Sequence, residues 1–308
     1  MKRDEEGSAG ASPSQPLGSL KCSMVRKLFR LLKILLLTYL FLVLGMMIFE
    51  NSLIFFPTRY PGGIWKPPGL EFEDAYFEAA DATKLHGWYV PHDDPRAVVL
   101  FAHGNGGNLS HRWDTLKELN DNLGVSVMIF DYRGYGRSEG SPNEKGVLAD
   151  ARAARAWLAQ RAGIPESEIV LMGESLGGAV LVDLAAADGA RGLVLDITFS
   201  SLPDVAAYHY PWAPIKLLMR SRLDSFSKIP NYHGPLLQLH GDADTIVPFK
   251  FGRKLFDAAN EPKTFVTIPG RDHNDGRTRQ FYEAVHEFLN QLNEKPKERS
   301  SQPTRVAE

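Results

Sequence analysis

Cysteine is nearly absent: Cys22 is the single one in 308 residues. An intramolecular disulfide is therefore excluded, and so are cysteine-based structural zinc and iron–sulfur sites. A surplus of charge of one sign is missing too. Lysine and arginine number 35 against 37 aspartates and glutamates, a formal charge of −2. That balance leaves no electrostatic footprint for nucleic acid. No dinucleotide-binding glycine fingerprint, P-loop or H-E-x-x-H motif occurs, so no cofactor and no metal are expected. No internal repeat is present. The 44% hydrophobic and 23% charged composition is that of an ordinary globular chain, which excludes a fibrous or wholly disordered one.

The N-terminal region divides in two. Residues 1–24 open with glycine, proline and serine among charges and have little to bury, which predicts a disordered tail. Over Ile34–Phe49 no charge interrupts the run, and Leu28, Phe29, Leu31 and Leu32 extend it backwards. With Arg30 and Lys33 snorkelling to the headgroups, residues 25–50 approach the ~20 apolar residues of a bilayer span. A core helix would not be apolar all round with basic flanks. A cleaved signal peptide would need a small-x-small site, and Gly45-Met46-Met47-Ile48-Phe49 is too bulky. An uncleaved signal anchor fits best. Lys21, Arg26, Lys27, Arg30 and Lys33 precede the span, so the positive-inside rule places the N-terminus in the cytoplasm and the rest in a periplasm or lumen. Cys22 is an S-acylation site in a eukaryotic host or, more simply, an inert thiol.

A proline- and glycine-rich stretch, 51–69, reads as a connector. Beyond it, strand-like runs near 72–79 and 84–90 lead into a regular alternation of short apolar strands and amphipathic helices. Strands fall at 97–103, 125–131, 169–172, 192–197, 236–240 and 264–268, with helices between most of them and a last one near 276–292. This pattern predicts βαβ units, hence a mainly parallel sheet with helices on both faces, in one domain over 70–293. The less regular 198–233 is a small cap, and 294–308 a polar tail.

The most informative segment is Gly173-Glu174-Ser175-Leu176-Gly177, a G-x-S-x-G between a short apolar strand and a helix. A tight strand-to-helix turn exposes a serine hydroxyl above the sheet edge, and the helix N-terminus favours negative charge developing there. A serine needs a base, and the base an orienting carboxylate; on this architecture they follow in the order Ser, Asp or Glu, His. The loop after 236–240 carries Asp242 and Asp244, and the loop after 264–268 carries His273. His103 and His240 sit in H-G turns and are better read as loop-shaping. One donor to an oxyanion is the N–H of Leu176; the other should come from the glycine-rich loop His103–Asn108.

At His240-Gly241-Asp242-Ala243-Asp244-Thr245-Ile246-Val247-Pro248 the chain resembles the α/β-hydrolase superfamily, in which H-G-x-x-D-x-x-V-P often follows this strand. The resemblance assigns the acid to Asp244, with Asp196 the alternative position used by some relatives, and the second oxyanion donor to the N–H of Asn105. It implies that the run from Asp131 to Ser138, DYRGYGRS, braces the nucleophile loop, and that Ser138 is not a second nucleophile. An anchor followed by NSLIFFPTRYP, LHGWYVP, HGNGGN and GESLGG is similar to membrane-anchored α/β-hydrolase-domain proteins related to serine aminopeptidase-type and acyl-thioesterase-like members, over residues 50–293. The expected function is a serine hydrolase cleaving an ester or thioester of a small or lipid-like acyl substrate. A peptidase or amidase, or a hydrolase fold kept only for binding, is the alternative. Trp212 and Met219 in the cap line an acyl pocket or pack the cap onto the sheet.

Overall fold

The computed structural model describes residues 17–294, with side chains from Met24 onward. Most of the expected tail over 1–24, and all but Glu294 of the tail over 294–308, lie outside the described residues. Helix α1 spans Leu17–Ile48, so it begins well before residue 25, where the anchor was expected. Once the apolar run has nucleated a helix, each further residue adds one bond at little cost. Met24–Ile48 is long and apolar enough to cross a membrane. At 25 residues it rises about 37 Å, more than the ~30 Å hydrocarbon core.

The second compact unit starts at Glu50. Its sheet has eight strands: β1 Glu73–Glu78, β2 Lys84–Val90, β3 Val98–Ala102, β4 Ser126–Asp131, β5 Val170–Glu174, β6 Gly192–Asp196, β7 Leu236–Gly241 and β8 Lys263–Ile268. Their order is β8-β7-β6-β5-β3-β4-β2-β1. The pairs of β2 with β1 and with β4 are antiparallel and all others parallel. The central strands β3, β4 and β6 are buried at every position, as expected of strands covered on both faces. The chain moves one way from β3 to β4 and the other way from β5 to β6, so the carboxyl ends of β3 and β5 meet at a topological switch point, where such sheets place their ligands.

Five long helices cover the sheet: α2 Trp113–Leu123, α3 Glu144–Ala162, α4 Leu176–Asp188, α5 Phe249–Ala258 and α6 Arg279–Asn293. One core layer holds Ala151, Ala154 and Leu158 of α3 with Val180 and Leu184 of α4 and Leu255 of α5. The other holds Leu116 and Leu119 of α2 with Phe281, Val285 and Leu289 of α6. The cap is three short helical segments, Leu202–His209, Ile215–Leu218 and Ser225–Lys228, followed by a single 3-10 turn.

Residues 51–69 are more than a connector. Glu50–Ile54 is helical, Ile54 and Phe55 are buried, and Phe56–Pro57 pairs in parallel with Gly106–Gly107. Thr58 donates its N–H to Gly107 O and accepts one from Gly136. Proline and glycine prevent long elements here, yet isolated backbone bonds and a two-residue ladder need no periodicity. The segment is a strap laid along the loop after β3.

Candidate active site

Ser175 follows β5 directly and caps α4, with φ 51° and ψ −114°. A non-glycine residue at positive φ is strained and persists only when its surroundings hold it. Its N–H donates to Asp196 O at 2.9 Å, and its own carbonyl accepts from Thr198 Oγ1 at 2.7 Å. Three flanking glycines let the turn close. A Cβ on Gly177 would sit 2.1 Å from Ala102 O, one on Gly173 2.5 Å from Gly178 Cα, and one on Gly178 2.6 Å from Thr198 Cβ.

His273, on the loop after β8, lies with Nε2 3.1 Å from Ser175 Oγ and Nδ1 2.8 Å from Asp244 Oδ2. With Asp244 ionised, Nδ1–H donates to it and Nε2 is left to accept the serine proton. The other Asp244 oxygen accepts the N–H groups of Ile246 and Val247, at 3.0 and 2.7 Å. Burial alone would raise the Asp244 pKa. Hydrogen bonds from His240 and His273, the charge of His273 and the Val247 N–H outweigh it and hold the carboxyl below the usual carboxylate range. Asp272 ties the two loops together by accepting from the Thr245 N–H and the His273 N–H. The other candidate acids are engaged elsewhere. Asp242 accepts from Gly270 N–H at 2.6 Å, and Asp196 is gripped by Arg271 at 2.7 and 3.1 Å.

The first-turn N–H of Leu176 has no acceptor within α4, and it lies next to Ser175. Asn105 is fixed around its N–H: its own carbonyl, in the following peptide unit, accepts from Tyr135 Oη at 2.8 Å and from Phe56 N–H at 3.3 Å, and its side chain donates to Ile54 O at 2.6 Å. His103 and His240 are fully buried, donating to Gly104 O and Val247 O. Ser138 is buried and donates to Asp131 O. Trp212 is half exposed, edge-on to Tyr210, whereas Met219 packs against the core. Among the described residues no three His, Cys, Asp or Glu side chains gather as metal ligands.

A family model described as serine aminopeptidase, S33, matches residues 93–226. An uncharacterised protein of Mycobacterium tuberculosis is 40% identical over 248 residues, covering 78% of this chain and 87% of its own length. The α/β-hydrolase domain-containing protein WAV2 of Arabidopsis thaliana is 32% identical over 253 residues, 74% of this chain and 82% of that one. The chain belongs to the α/β-hydrolase superfamily. Among solved structures, the Pyrococcus furiosus esterase Pf2001 matches with a TM-score of 0.60 at 21% identity, over 77% of this chain and 98% of the esterase. An acetyl xylan esterase from Paenibacillus sp. R4 matches at 0.61 and 19%, over 74% and 86%. These two show the same fold.

The α/β-hydrolase site also contains contacts that its motifs do not announce. The DYRGYGRS run, expected to brace the Ser175 loop, bonds to the loop after β3. Tyr132 Oη donates to His103 O, Tyr135 Oη to Asn105 O, and Asp131 accepts from Leu109 N–H. Glu174, beside Ser175, takes Arg112 on one oxygen at 2.9 Å and Arg277 on the other at 2.7 Å. Arg112 also donates to Gly106 O. One carboxylate thus joins the loop after β3, the Ser175 turn and the His273 loop. The only sequence signals were a charged residue ending an apolar strand and an arginine four residues past His273.

Burial opposes ionisation of Glu174, but Arg277 and Arg112 prevail and hold its pKa well below the normal glutamate value. A carboxyl with a lowered native pKa contributes stability that is full above its unfolded pKa, ~4.3, and is lost as pH falls towards the native value. Glu174→Gln removes the carboxylate from Arg112 and leaves Arg277 only the more distant Asp196, at 3.5 Å, which should cost on the order of 3 kcal/mol at neutral pH. In melts followed by circular dichroism, the Tm gap between wild type and variant should narrow once pH drops below about 4. A gap that stays constant through that range would show that the carboxylate charge is not what stabilises the fold.

Proposed function

We propose that this α/β-hydrolase is a serine hydrolase that cleaves a carboxylic ester or thioester through an acyl-enzyme on Ser175. The observation that carries the reading is the continuous chain from Ser175 Oγ through His273 to Asp244, with links of 3.1 and 2.8 Å. His273 Nε2 takes the serine proton as Oγ attacks the carbonyl carbon, and Asp244 stabilises the imidazolium that results. The tetrahedral oxyanion is received by the N–H groups of Leu176 and Asn105. Collapse breaks the bond to the leaving alcohol or thiol, which departs with the proton from His273. Water then gives its proton to His273 and its oxygen to the acyl carbon, and the carboxylic acid leaves as the proton returns to Ser175.

A peptidase reading draws on the family model's description. Capture of a substrate ammonium would need an available carboxylate, and the one beside the nucleophile, Glu174, is already neutralised by Arg112 and Arg277. A binding-only role would not require the assembled Ser–His–Asp chain. The apolar helix serves as an uncleaved anchor, with the catalytic domain on the extracytoplasmic side.

Three outcomes test the reading. A fluorophosphonate probe should label the wild type and not Ser175→Ala, and Asp244→Asn should lower kcat by about 10⁴-fold, far more than Asp242→Asn or Asp196→Asn. Labelling that survives at Ser175→Ala, or equal losses at Asp244 and Asp196, would remove the assignment. On p-nitrophenyl esters, each methylene buried in an acyl pocket should raise kcat/KM up to about fourfold, the equivalent of ~0.8 kcal/mol. A strict preference for acetyl would argue for a small-ester substrate. In sealed membranes, protease added outside should digest the catalytic domain and spare the N-terminal tail; the reverse pattern overturns the orientation.

A further inference from the structure

In residues 50–294, every exposed large apolar side chain except Tyr76 lies on the strap, the cap or the loop after β7. Leu53, Phe56, Tyr60, Trp212 and Leu217 are each more than half exposed. A soluble surface does not normally collect such side chains in one region; where it does, the region meets a partner.

Two contacts place these segments side by side. Glu50, immediately before the strap, accepts the backbone N–H groups of Arg220 and Ser221 between the second and third segments of the cap, the latter at 2.6 Å. At the end of the first cap segment, His209 Nε2 donates to Ile246 O on the loop after β7 at 2.8 Å. The strap in turn borders the loop that carries Asn105. The apolar side chains therefore frame the carboxyl edge of the sheet, where Ser175 lies.

Charge identifies the partner. Residues 50–69 and 198–233 carry six basic residues, Arg59, Lys66, Lys216, Arg220, Arg222 and Lys228, against three acidic ones, Glu50, Asp204 and Asp224, although the chain as a whole is slightly acidic. Glu50 is buried and bonded to the cap, and Asp204 pairs with Lys216. Aromatic and aliphatic side chains mixed with a basic excess are the composition of a surface that lies in an anionic membrane interface. Chain continuity agrees: Glu50 follows the candidate span Met24–Ile48 by two residues, and its carboxylate is bonded to the cap.

We infer that the strap and cap form a docking rim that seats the hydrolase domain on an anionic bilayer, with the mouth of the Ser175 site against the lipid. The inference rests on the anchored reading of the apolar helix. A substrate reaching the serine from the lipid phase then has no water layer to cross, and the substrate class narrows to esters or thioesters carried by lipids or lipid-modified molecules.

The test uses the full chain with Cys22→Ser, reconstituted into vesicles of equal parts phosphatidylcholine and phosphatidylglycerol. Leu217→Cys and, separately, Tyr76→Cys carry the same environment-sensitive fluorophore. Both positions are exposed and should tolerate the change. Interfacial side chains sit roughly 5–10 Å into the headgroup and acyl boundary, so bromines placed high on the lipid chains should quench the label at 217 and leave that at 76 unaffected. Quenching at 217 no greater than at 76, on a chain that resists carbonate extraction, overturns the rim and leaves the anchor standing. Protection of the 217 label from aqueous iodide without lipid quenching points to a protein partner and also overturns it. Extraction of the chain by carbonate removes the anchored reading, and the rim with it.

Discussion

Holding Ser175 at φ 51° costs roughly 1–3 kcal/mol for a residue that is not glycine, and the surrounding structure must offset it. The offset is spread over the neighbouring strand. Asp196 O takes the serine N–H, Thr198 Oγ1 takes up its carbonyl, and α4 can approach β3 only because Gly177 offers no side chain to Ala102 O. These contacts exist because β5 lies between β3 and β6. The sheet order is thus the condition for the strained turn, and the turn is the condition for a serine that remains 9% exposed within a buried edge.

Around that turn the charges are arranged for two purposes. Asp244 meets only donors, from His273 and from the backbone of residues 246 and 247, which keeps it ionised and keeps the histidine ring in one orientation. Glu174 and Asp196 face three guanidiniums, Arg112, Arg271 and Arg277. Pairing offsets the desolvation of each buried ion, and because the partners come from different loops, the network also restricts how far those loops can separate.

Much of this was legible from residues because its causes are local. Alternating short apolar runs and amphipathic stretches gave the strands and helices to within a few residues, and the elbow and the H-G-x-x-D loop carry their own turn chemistry. The rest depends on long-range contacts that leave no periodic trace. The strap reads as a connector because its bonds run to positions 46 or more residues away, such as Gly62 O to Asn108, Ile54 O to Asn105 and Arg59 to Gly140 O. The tyrosines of DYRGYGRS give no sign of their loop because their acceptors, His103 and Asn105, lie 29 and 30 residues upstream. The role of Glu174 required knowing that Arg112 and Arg277 converge from 62 and 103 residues away.

The strap has a consequence for where the chain tolerates proteolysis. The residues that follow α1 hold the carbonyl and the side chain of Asn105, and Glu50 holds the cap backbone at Arg220 and Ser221. A nick between residues 50 and 58 would deprive the loop after β3 of its outer support. A cut upstream of Glu50 would leave that support whole.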